Sequence, residues 1–301
     1  MAANSFLSQY KAANVAIKLI VINTAVYIGF NLVNWILKLQ GIGLQQWFVL
    51  PSEPLEILKQ PWGFITYAFL HGDFFHILFN MIFLYVFSRY VLNLFNEKRL
   101  LTIYFLGAIA GGLLFVLAYN LFPVLTNKTG YLLGASAAVN AIIVFIATYT
   151  PNSPIRILFF NLKLWHIAAF VVLRDLLTLN VSDNTGGLIA HLGGALFGYI
   201  YAQQLAKGND IGGWWESLID NVVSYFSKSK VPVGRSFSTK RSKMRTVHKK
   251  AKSNTTLSNT SRFIKSEKQQ KIDAILDKIG KSGYDSLTKA EKDFLFKAGK
   301  E

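Results

Sequence analysis

Long apolar runs fill the first two thirds of the chain and constrain its fold more than any other feature. A helix needs about 20 mostly apolar residues to cross a bilayer, whose hydrocarbon core offers no partner to backbone polar groups. Such runs succeed one another before residue 206, the fifth being the shortest: Val15–Leu37, Phe74–Leu94, Leu100–Leu121, Leu132–Thr150, Leu164–Leu179 and Thr185–Leu205. The sequence therefore predicts an all-α, polytopic membrane bundle of about six transmembrane helices.

Charge is distributed unevenly and divides the chain into regions. The formal net charge is +16, and most of it follows residue 206. We expect a cytoplasmic N-terminus at 1–14, a membrane domain at 15–206, an interfacial and then disordered basic linker at 207–265, and a helical hairpin at 266–301. The chain contains no Cys, which excludes disulfides, thiolate zinc sites and a catalytic thiol, and neither a cofactor nor a metal is expected.

The Lys and Arg residues of the short loops predict the orientation in the membrane. They precede the first run and separate the second from the third and the fourth from the fifth: Lys11, Lys18, Arg89, Lys98, Arg99, Arg156 and Lys163. The loops on the other side carry fewer: Lys38, Lys59 and Lys128. Both termini are therefore predicted to be cytoplasmic, with the bundle in an inner cell membrane.

The first loop, at about 40–64, is too short and too rich in Pro to form another span. Its Trp47, Phe48 and Trp62 are residue types that favour the boundary between lipid and water. The loop is therefore predicted to be an interfacial element.

The basic tail suggests several partners. Seven Lys and Arg residues between positions 240 and 252 favour contact with anionic lipid. Nucleic-acid binding is not expected, because no recognised fold or aromatic interleaving accompanies the charge. A protein partner for the terminal hairpin remains open. In that hairpin Gly280 predicts the end of one helix, and Thr288 with Glu291 predicts a capping box at the start of the next.

Polar side chains inside the apolar runs are costly in lipid and are functional candidates by default. Four lie near the extracytoplasmic ends of the even-numbered runs: His76, Asn80, Ser136 and His191. Each alone has an ordinary structural explanation, such as a hydrogen bond within or between helices. Because the even-numbered runs enter the membrane from the same side, however, all four can meet at one depth.

These residue types suit acyl transfer. A serine hydroxyl becomes a useful nucleophile when a base takes its proton, and His is suited to that role near neutral pH. His76 and Asn80 share a helix face, and with the backbone N–H of Ser136, about one turn into the fourth run, they could bind an oxyanion. Neither the fourth run nor the body of the sixth contains Asp or Glu, and Asp183 lies too near a loop, which favours a dyad of Ser136 and His191.

The segments PWGFITYAFLHGDFFHILFNM, GAS and AHLGGALFG carry these residues, in this order along the chain. Through them, over roughly 15–206, the chain resembles the rhomboid family of intramembrane serine proteases, and bacterial members in particular. The resemblance implies Ser136 as nucleophile and His191 as general base, with His76 and Asn80 in the oxyanion hole. It also implies a single-span membrane protein as substrate, cut near the extracytoplasmic membrane face.

The resemblance implies that Gly194 and Gly198 bring the sixth run against the fourth. The sequence also departs from the family pattern at two positions. The residue after the nucleophile is usually Gly and here is Ala137, whose methyl group could crowd the oxyanion donors. An aromatic residue is usual one turn further, and here it is Asn140. We hypothesise that the Asn140 carboxamide orients His191, with a bond to a neighbouring helix as the alternative.

Two other functions compete with proteolysis. A catalytically inactive rhomboid relative would bind membrane clients without cutting them, and Ala137 is the feature that favours it. A polytopic transporter could use His71, His76 and Asp73 as a cation or proton site. The spacing disfavours the transporter, because the two His residues are five apart and do not share a helix face.

Overall fold

The computed structural model describes residues 6–41, 43–125, 128–157, 159–226 and 260–298. The helices in this part of the chain are α1 Phe6–Ala12, α2 Val15–Ile36, α3 Pro54–Lys59, α4 Gly63–Thr66, α5 Phe74–Leu94, α6 Glu97–Leu121, α7 Ser136–Tyr149, α8 Leu164–Thr178, α9 Thr185–Ala206, α10 Gly213–Phe226, α11 Thr260–Ser282 and α12 Lys289–Ala298. Short antiparallel strand pairs join β1 Leu50–Pro51 to β2 Tyr131–Leu132 and β3 Pro154–Ile157 to β4 Phe160–Lys163. Single 3₁₀ turns cover Gly43–Trp47, Tyr67–Phe69 and Tyr284–Ser286. The chain divides into two compact units, Met1–Lys230 and Val231–Glu301.

Helices α2, α5, α6, α7, α8 and α9 occupy the positions of the predicted transmembrane segments. Among the described residues, α2, α5 and α6 are long and apolar enough to cross a membrane by themselves, and α7 is a shorter apolar helix. The prediction of an all-α polytopic membrane bundle is confirmed.

Capping side chains fix where four of the long helices begin. Asn14, Asp73, Asn96 and Asn184 each accept a hydrogen bond from the backbone N–H three residues later, over 2.8 to 3.1 Å. Each bond satisfies an N–H group that the first turn of a helix leaves without an acceptor. The starts of α2, α5, α6 and α9 are therefore encoded locally.

Helix α7 forms the centre of the membrane unit. It packs against α5, α6, α8 and α9, and every residue from Ala137 to Ala147 is buried. The outer helices instead expose large apolar side chains, such as Trp35 on α2 and Leu177 on α8. This distribution is typical of helices whose outer faces meet lipid.

The fourth transmembrane segment begins later than its apolar run. Leu132 belongs to β2, where it pairs with Leu50, and the helix starts at Ser136. Gly134 makes the turn between them with φ of +125°, a conformation that L residues with a side chain rarely adopt. The prediction that this helix starts at Leu132 and holds Ser136 one turn inside is therefore wrong, because apolarity alone does not separate a short strand from a helix.

The first loop is built from short elements rather than open coil. It contains β1, α3 and α4, and its Trp47 and Trp62 side chains are exposed, with the Trp62 ring N–H donating to the carbonyl of Trp47 over 2.7 Å. Exposed Trp residues suit a membrane interface, and that location stays a prediction.

The C-terminal unit contains the predicted capping box. The backbone N–H of Thr288 donates to the Glu291 carboxylate over 2.7 Å, and the N–H of Glu291 donates to the Thr288 hydroxyl over 3.3 Å. Gly280 does not end the preceding helix as predicted. Helix α11 continues to Ser282 and stops at Gly283, whose φ of +76° suits a helix terminus. The predicted linker at 207–265 is described in part: residues 207–226 include helix α10, and residues 260–265 already belong to α11. Residues 227–259, with the basic cluster between 240 and 252, lie outside the described residues.

Candidate active site

A cavity of about 460 Å³ lies among α5, α7, α8 and α9, at the end of the bundle where α5, α7 and α9 begin. Its apolar lining comes chiefly from Phe75, Phe79 and Phe83 on α5, with Val139, Ile143 and Val171 from α7 and α8. Its polar lining contains all four candidate side chains and several others: Asp73, His76, Asn80, Ser136, Asn140, Arg174, Asp175, Asn184 and His191. An apolar cavity with a few converging polar groups is the usual form of an active site.

Ser136 is the first residue of α7, and its position depends on the turn before it. The N–H of Gly134 donates to the carbonyl of Tyr67 over 2.9 Å, and the Tyr67 hydroxyl donates to Ala108 of α6 over 2.7 Å. These bonds tie the turn to the neighbouring loop and helix. As the first helical residue, Ser136 has a backbone N–H without an acceptor inside its own helix.

His191 lies in the second turn of α9, and its ring is held from α8. Nδ1 of His191 is 3.0 Å from Oδ2 of Asp175, and the Asp175 side chain is only 3% exposed. Among the described residues no direct hydrogen bond joins the His191 ring to the Ser136 hydroxyl, although both line the cavity. Catalytic hydrogen bonds are often longer in a site without substrate and shorten when substrate binds.

Glycine places the backbones that carry Ser136 and His191 side by side. A Cβ on Gly111 of α6 would lie 2.6 Å from both the Ala137 methyl group and the Ala190 carbonyl oxygen. Ala137 follows Ser136, and Ala190 precedes His191. The backbone next to each candidate residue therefore contacts the same glycine, Gly111 of α6.

The predicted contact between the fourth and sixth segments has a physical basis here. A Cβ on Gly194 would collide with the carbonyl oxygen of Ala137, and one on Gly198 with the carbonyl oxygen of Ala141. Only residues without a side chain permit this approach of α9 to α7.

His76 and Asn80 face the same cavity from α5. A Cβ on Gly134 would lie 2.7 Å from Nε2 of His76 and 3.5 Å from Oγ of Ser136, so the ring and the hydroxyl are neighbours across this glycine. Nδ1 of His76 accepts a long 3.5 Å hydrogen bond from the N–H of Gly72, which leaves Nε2 to carry the ring proton. The Asn80 amide donates to the His76 carbonyl over 2.9 Å and retains a second N–H. Both side chains can therefore donate into the cavity.

The hypothesis that Asn140 orients His191 does not match the structure. The Asn140 amide donates to the carbonyl of Ser136, one turn back on its own helix, over 3.0 Å. The alternative of a bond to a neighbouring helix does not match either. The ring of His191 is held by Asp175 instead.

Asp175 is the residue that the sequence prediction missed. That prediction considered acids in the fourth and sixth segments, whereas Asp175 belongs to the fifth. The expectation that no carboxylate accompanies His191 is therefore wrong. One signal was present: Arg174 and Asp175 are adjacent charges in an apolar run, where charge is costly.

Ala137 does not crowd the side chains of His76 and Asn80, the predicted oxyanion donors. The residue is 1% exposed and does not line the cavity, and its methyl group lies against Gly111 of α6. The substitution of Ala for the usual Gly is thus accommodated by packing against a glycine elsewhere.

The rings of His71 and His76 do meet, although their spacing predicts that they share no helix face. They lie edge to face at 5.1 Å, because His71 precedes α5 rather than lying on it. In the described part of the chain, no group of three or more His, Cys, Asp or Glu side chains could hold a metal ion.

This fold and cavity define a class of polytopic membrane protein with Ser and His side chains in a pocket within the bundle. The family model for the Rhomboid domain matches residues 58–208, half of the chain, and the chain therefore belongs to the rhomboid family. That family contains intramembrane serine proteases and inactive relatives. Residues 261–298, which include most of α11 and all of α12, match a family of unknown function, DUF6576.

Curated relatives support the family assignment over part of their own length. RHOMBOID-like protein 12, mitochondrial, of Arabidopsis thaliana is 32% identical over 156 residues, which cover 48% of this chain and 46% of that protein. Presenilin-associated rhomboid-like protein, mitochondrial, of Homo sapiens is 28% identical over 143 residues, which cover 44% and 35%. The chain thus spans less than half the length of these relatives. Since both are mitochondrial, the comparison gives no support to the expectation of a bacterial member.

Proposed function

We propose that this protein is an intramembrane serine endopeptidase in which Ser136 is the nucleophile and His191 the general base. The observation that carries the proposal is one cavity of a rhomboid-family bundle lined by both side chains, with His76 and Asn80 beside them. Because the family includes inactive members, the proposal rests on these residues and not on the fold alone.

The chemistry follows from the residue types. His191 takes the hydroxyl proton as Oγ of Ser136 bonds the scissile carbonyl carbon, and returns it to the departing amine when the C–N bond breaks. A water molecule then attacks the acyl-enzyme ester and gives its proton to His191. The carboxylic acid product leaves, and Ser136 regains its proton. The negative oxygen in both steps would accept hydrogen bonds from His76, from Asn80 and from the N–H of Ser136.

The substrate we propose is a single-span membrane protein, cut near the extracytoplasmic membrane face. The cavity lies between α5 and α8, both of which pack on α7, and Phe75, Phe79 and Val171 give it apolar sides. A helical substrate must unwind before its carbonyl can be attacked. Gly, Pro or β-branched residues near the cut would lower that cost.

We further propose that both termini are cytoplasmic, in an inner cell membrane. Arg99, Arg156 and Lys163 lie at the end of the bundle opposite the cavity, as this orientation requires. Anionic lipid remains the proposed partner of the basic tail, and a protein remains an alternative partner for the terminal hairpin. We also propose the domain limits that the sequence predicts, at residues 14, 206 and 265.

An inactive, client-binding relative is the alternative. Its supporting feature was Ala137, and the packing of that side chain against Gly111 removes the steric reason for inactivity. The retention of Ser136, His191 and the two donors favours the protease.

Cleavage by the full chain in liposomes tests the proposal. Single-span membrane proteins with Gly or Pro placed along the outer half of the helix would serve as substrates, and mass spectrometry would locate the cut. We expect cleavage that disappears in Ser136→Ala and in His191→Ala. Cleavage that persists in Ser136→Ala would overturn the proposal. Binding of the same substrates without any cut would establish the inactive alternative.

A further inference from the structure

We propose that Asp175 is a positioning residue that holds His191 in the tautomer able to act as a base. The inference rests on the proposed function, since it assigns a role in the same reaction. It extends the predicted dyad by a side chain from α8, a helix that lines the cavity with Val171 and Arg174.

The contact between Asp175 and His191 fixes the ring proton. A carboxylate can only accept, so the Nδ1 atom 3.0 Å from Oδ2 of Asp175 must carry hydrogen. In a neutral imidazole the other nitrogen, Nε2, then has a free lone pair. That lone pair is what a general base needs to receive the Ser136 proton.

Arg174 fixes the carboxylate itself. Nε of Arg174 donates to Oδ1 of Asp175 over 3.0 Å, and Nη2 donates to the same oxygen. The two carboxylate oxygens thus have separate partners, Oδ1 for the guanidinium and Oδ2 for the imidazole. A charge that is 3% exposed is tolerated when it is paired and hydrogen-bonded in this way.

This division of partners makes the effect of an Asn substitution predictable. In Asp175→Asn the guanidinium would keep the carboxamide oxygen, and the NH₂ group would turn toward Nδ1 of His191. Nδ1 would then have to accept, and the ring proton would move to Nε2, where it blocks proton transfer from Ser136. Asp175→Ala removes the orienting contact without enforcing the wrong tautomer. We therefore expect Asp175→Asn to be the more damaging change.

Kinetics of the full chain in liposomes provide the first test. With a single-span substrate, kcat should fall by about 10²- to 10⁴-fold in Asp175→Asn, the upper value being the loss for the same change in a serine protease triad. KM should change little, and Arg174→Gln introduced into Asp175→Asn should restore part of the activity by freeing the carboxamide to turn. Asp183→Asn is the matched control, because Asp183 is exposed in the loop before α9 and does not line the cavity.

The ring tautomer provides a second test, which is read on the wild-type protein and uses a variant only to assign the signal. In the ¹⁵N spectrum of the wild-type protein at neutral pH, the signal lost in His191→Gln should show hydrogen on Nδ1. Hydrogen on Nε2 would overturn the inference. The inference would also be overturned if Asp175→Asn had the same kcat as Asp183→Asn. If Ser136→Ala were inactive in that experiment, the proposed function would still stand. Cleavage retained in Ser136→Ala would instead overturn the proposed function.

Discussion

Gly194→Ala tests whether the close approach of α9 to α7 sets the distance between His191 and Ser136, the proposed base and nucleophile. The added Cβ would collide with the carbonyl oxygen of Ala137 and lie 2.8 Å from its carbonyl carbon, where ordinary contact begins at 3.4 Å. These are backbone atoms, so no side chain can rotate away. The two helices must separate by more than about 0.6 Å, the difference between those distances, because the carbonyl oxygen is closer to the added Cβ than the carbon is.

The separation acts directly on the site, because His191 precedes Gly194 by three residues and Ser136 precedes Ala137 by one. A displacement of about 1 Å can cost about 10²-fold in rate, and overpacking costs about 1 to 3 kcal/mol. We therefore expect labelling of Ser136 by a fluorophosphonate to slow by about 10- to 100-fold. The free energy of unfolding should fall by about 1 to 3 kcal/mol.

Gly29→Ala is the matched control. Gly29 lies in α2 with nothing within 4 Å of an added Cβ, and Ala is favoured over Gly inside a helix by about 0.5 to 1 kcal/mol. The six Trp residues allow unfolding to be followed by fluorescence. If Gly194→Ala matched Gly29→Ala in both stability and labelling rate, the reasoning from helix contact to catalysis would be refuted.

Further predictions concern single side chains. Ala137→Gly should lower the free energy of unfolding by about 1 kcal/mol. It should not speed fluorophosphonate labelling, because the methyl group packs on Gly111 and not on the proposed oxyanion donors. Faster labelling would show that the methyl group does crowd those donors. His76→Ala should lower kcat for a single-span substrate by about 10²- to 10³-fold with little change in KM, the usual cost of losing one oxyanion donor. A rise in KM with kcat unchanged would instead assign His76 to substrate binding. The N–H of Thr288 and the Lys278 ammonium hold the pKa of Glu291 at about 2, below its ordinary 4.5. The carboxylate therefore stabilises the terminal hairpin fully above the ordinary value and loses this effect as the pH falls through about 2. Hydrogen exchange of α12 amides should show that pH dependence in the wild-type protein and not in Glu291→Gln, and the same profile in both would contradict it.

The helices could be predicted because their signals are local. An apolar run bounded by Asn14, Asp73 or Asn184 contains both the reason to enter the membrane and the cap that starts the helix. That Ser136 and His191 line the same cavity was also expected from sequence, since alternating helix directions place the starts of even-numbered segments at the same side.

The remaining features depend on which helix faces which. The contact of Asp175 with His191 needs the packing of α8 against α9 and the rotation of α8 about its axis, and neither is encoded by apolar periodicity in a short, weakly amphipathic run. For the same reason the sequence could not assign a partner to Asn140, whose carboxamide bonds the Ser136 carbonyl within α7. The pairing of Leu132 with Leu50 was missed because two-residue strands leave no pattern in sequence.

Mapping the site of covalent labelling tests the central claim most directly. The native full chain in detergent would be treated with a fluorophosphonate, digested, and searched by tandem mass spectrometry for modified serine. The account predicts one adduct, on Ser136, that forms slowly in His191→Ala and not at all in heat-unfolded protein. No adduct on the native chain, or an adduct on another serine that forms equally well without His191, would contradict it.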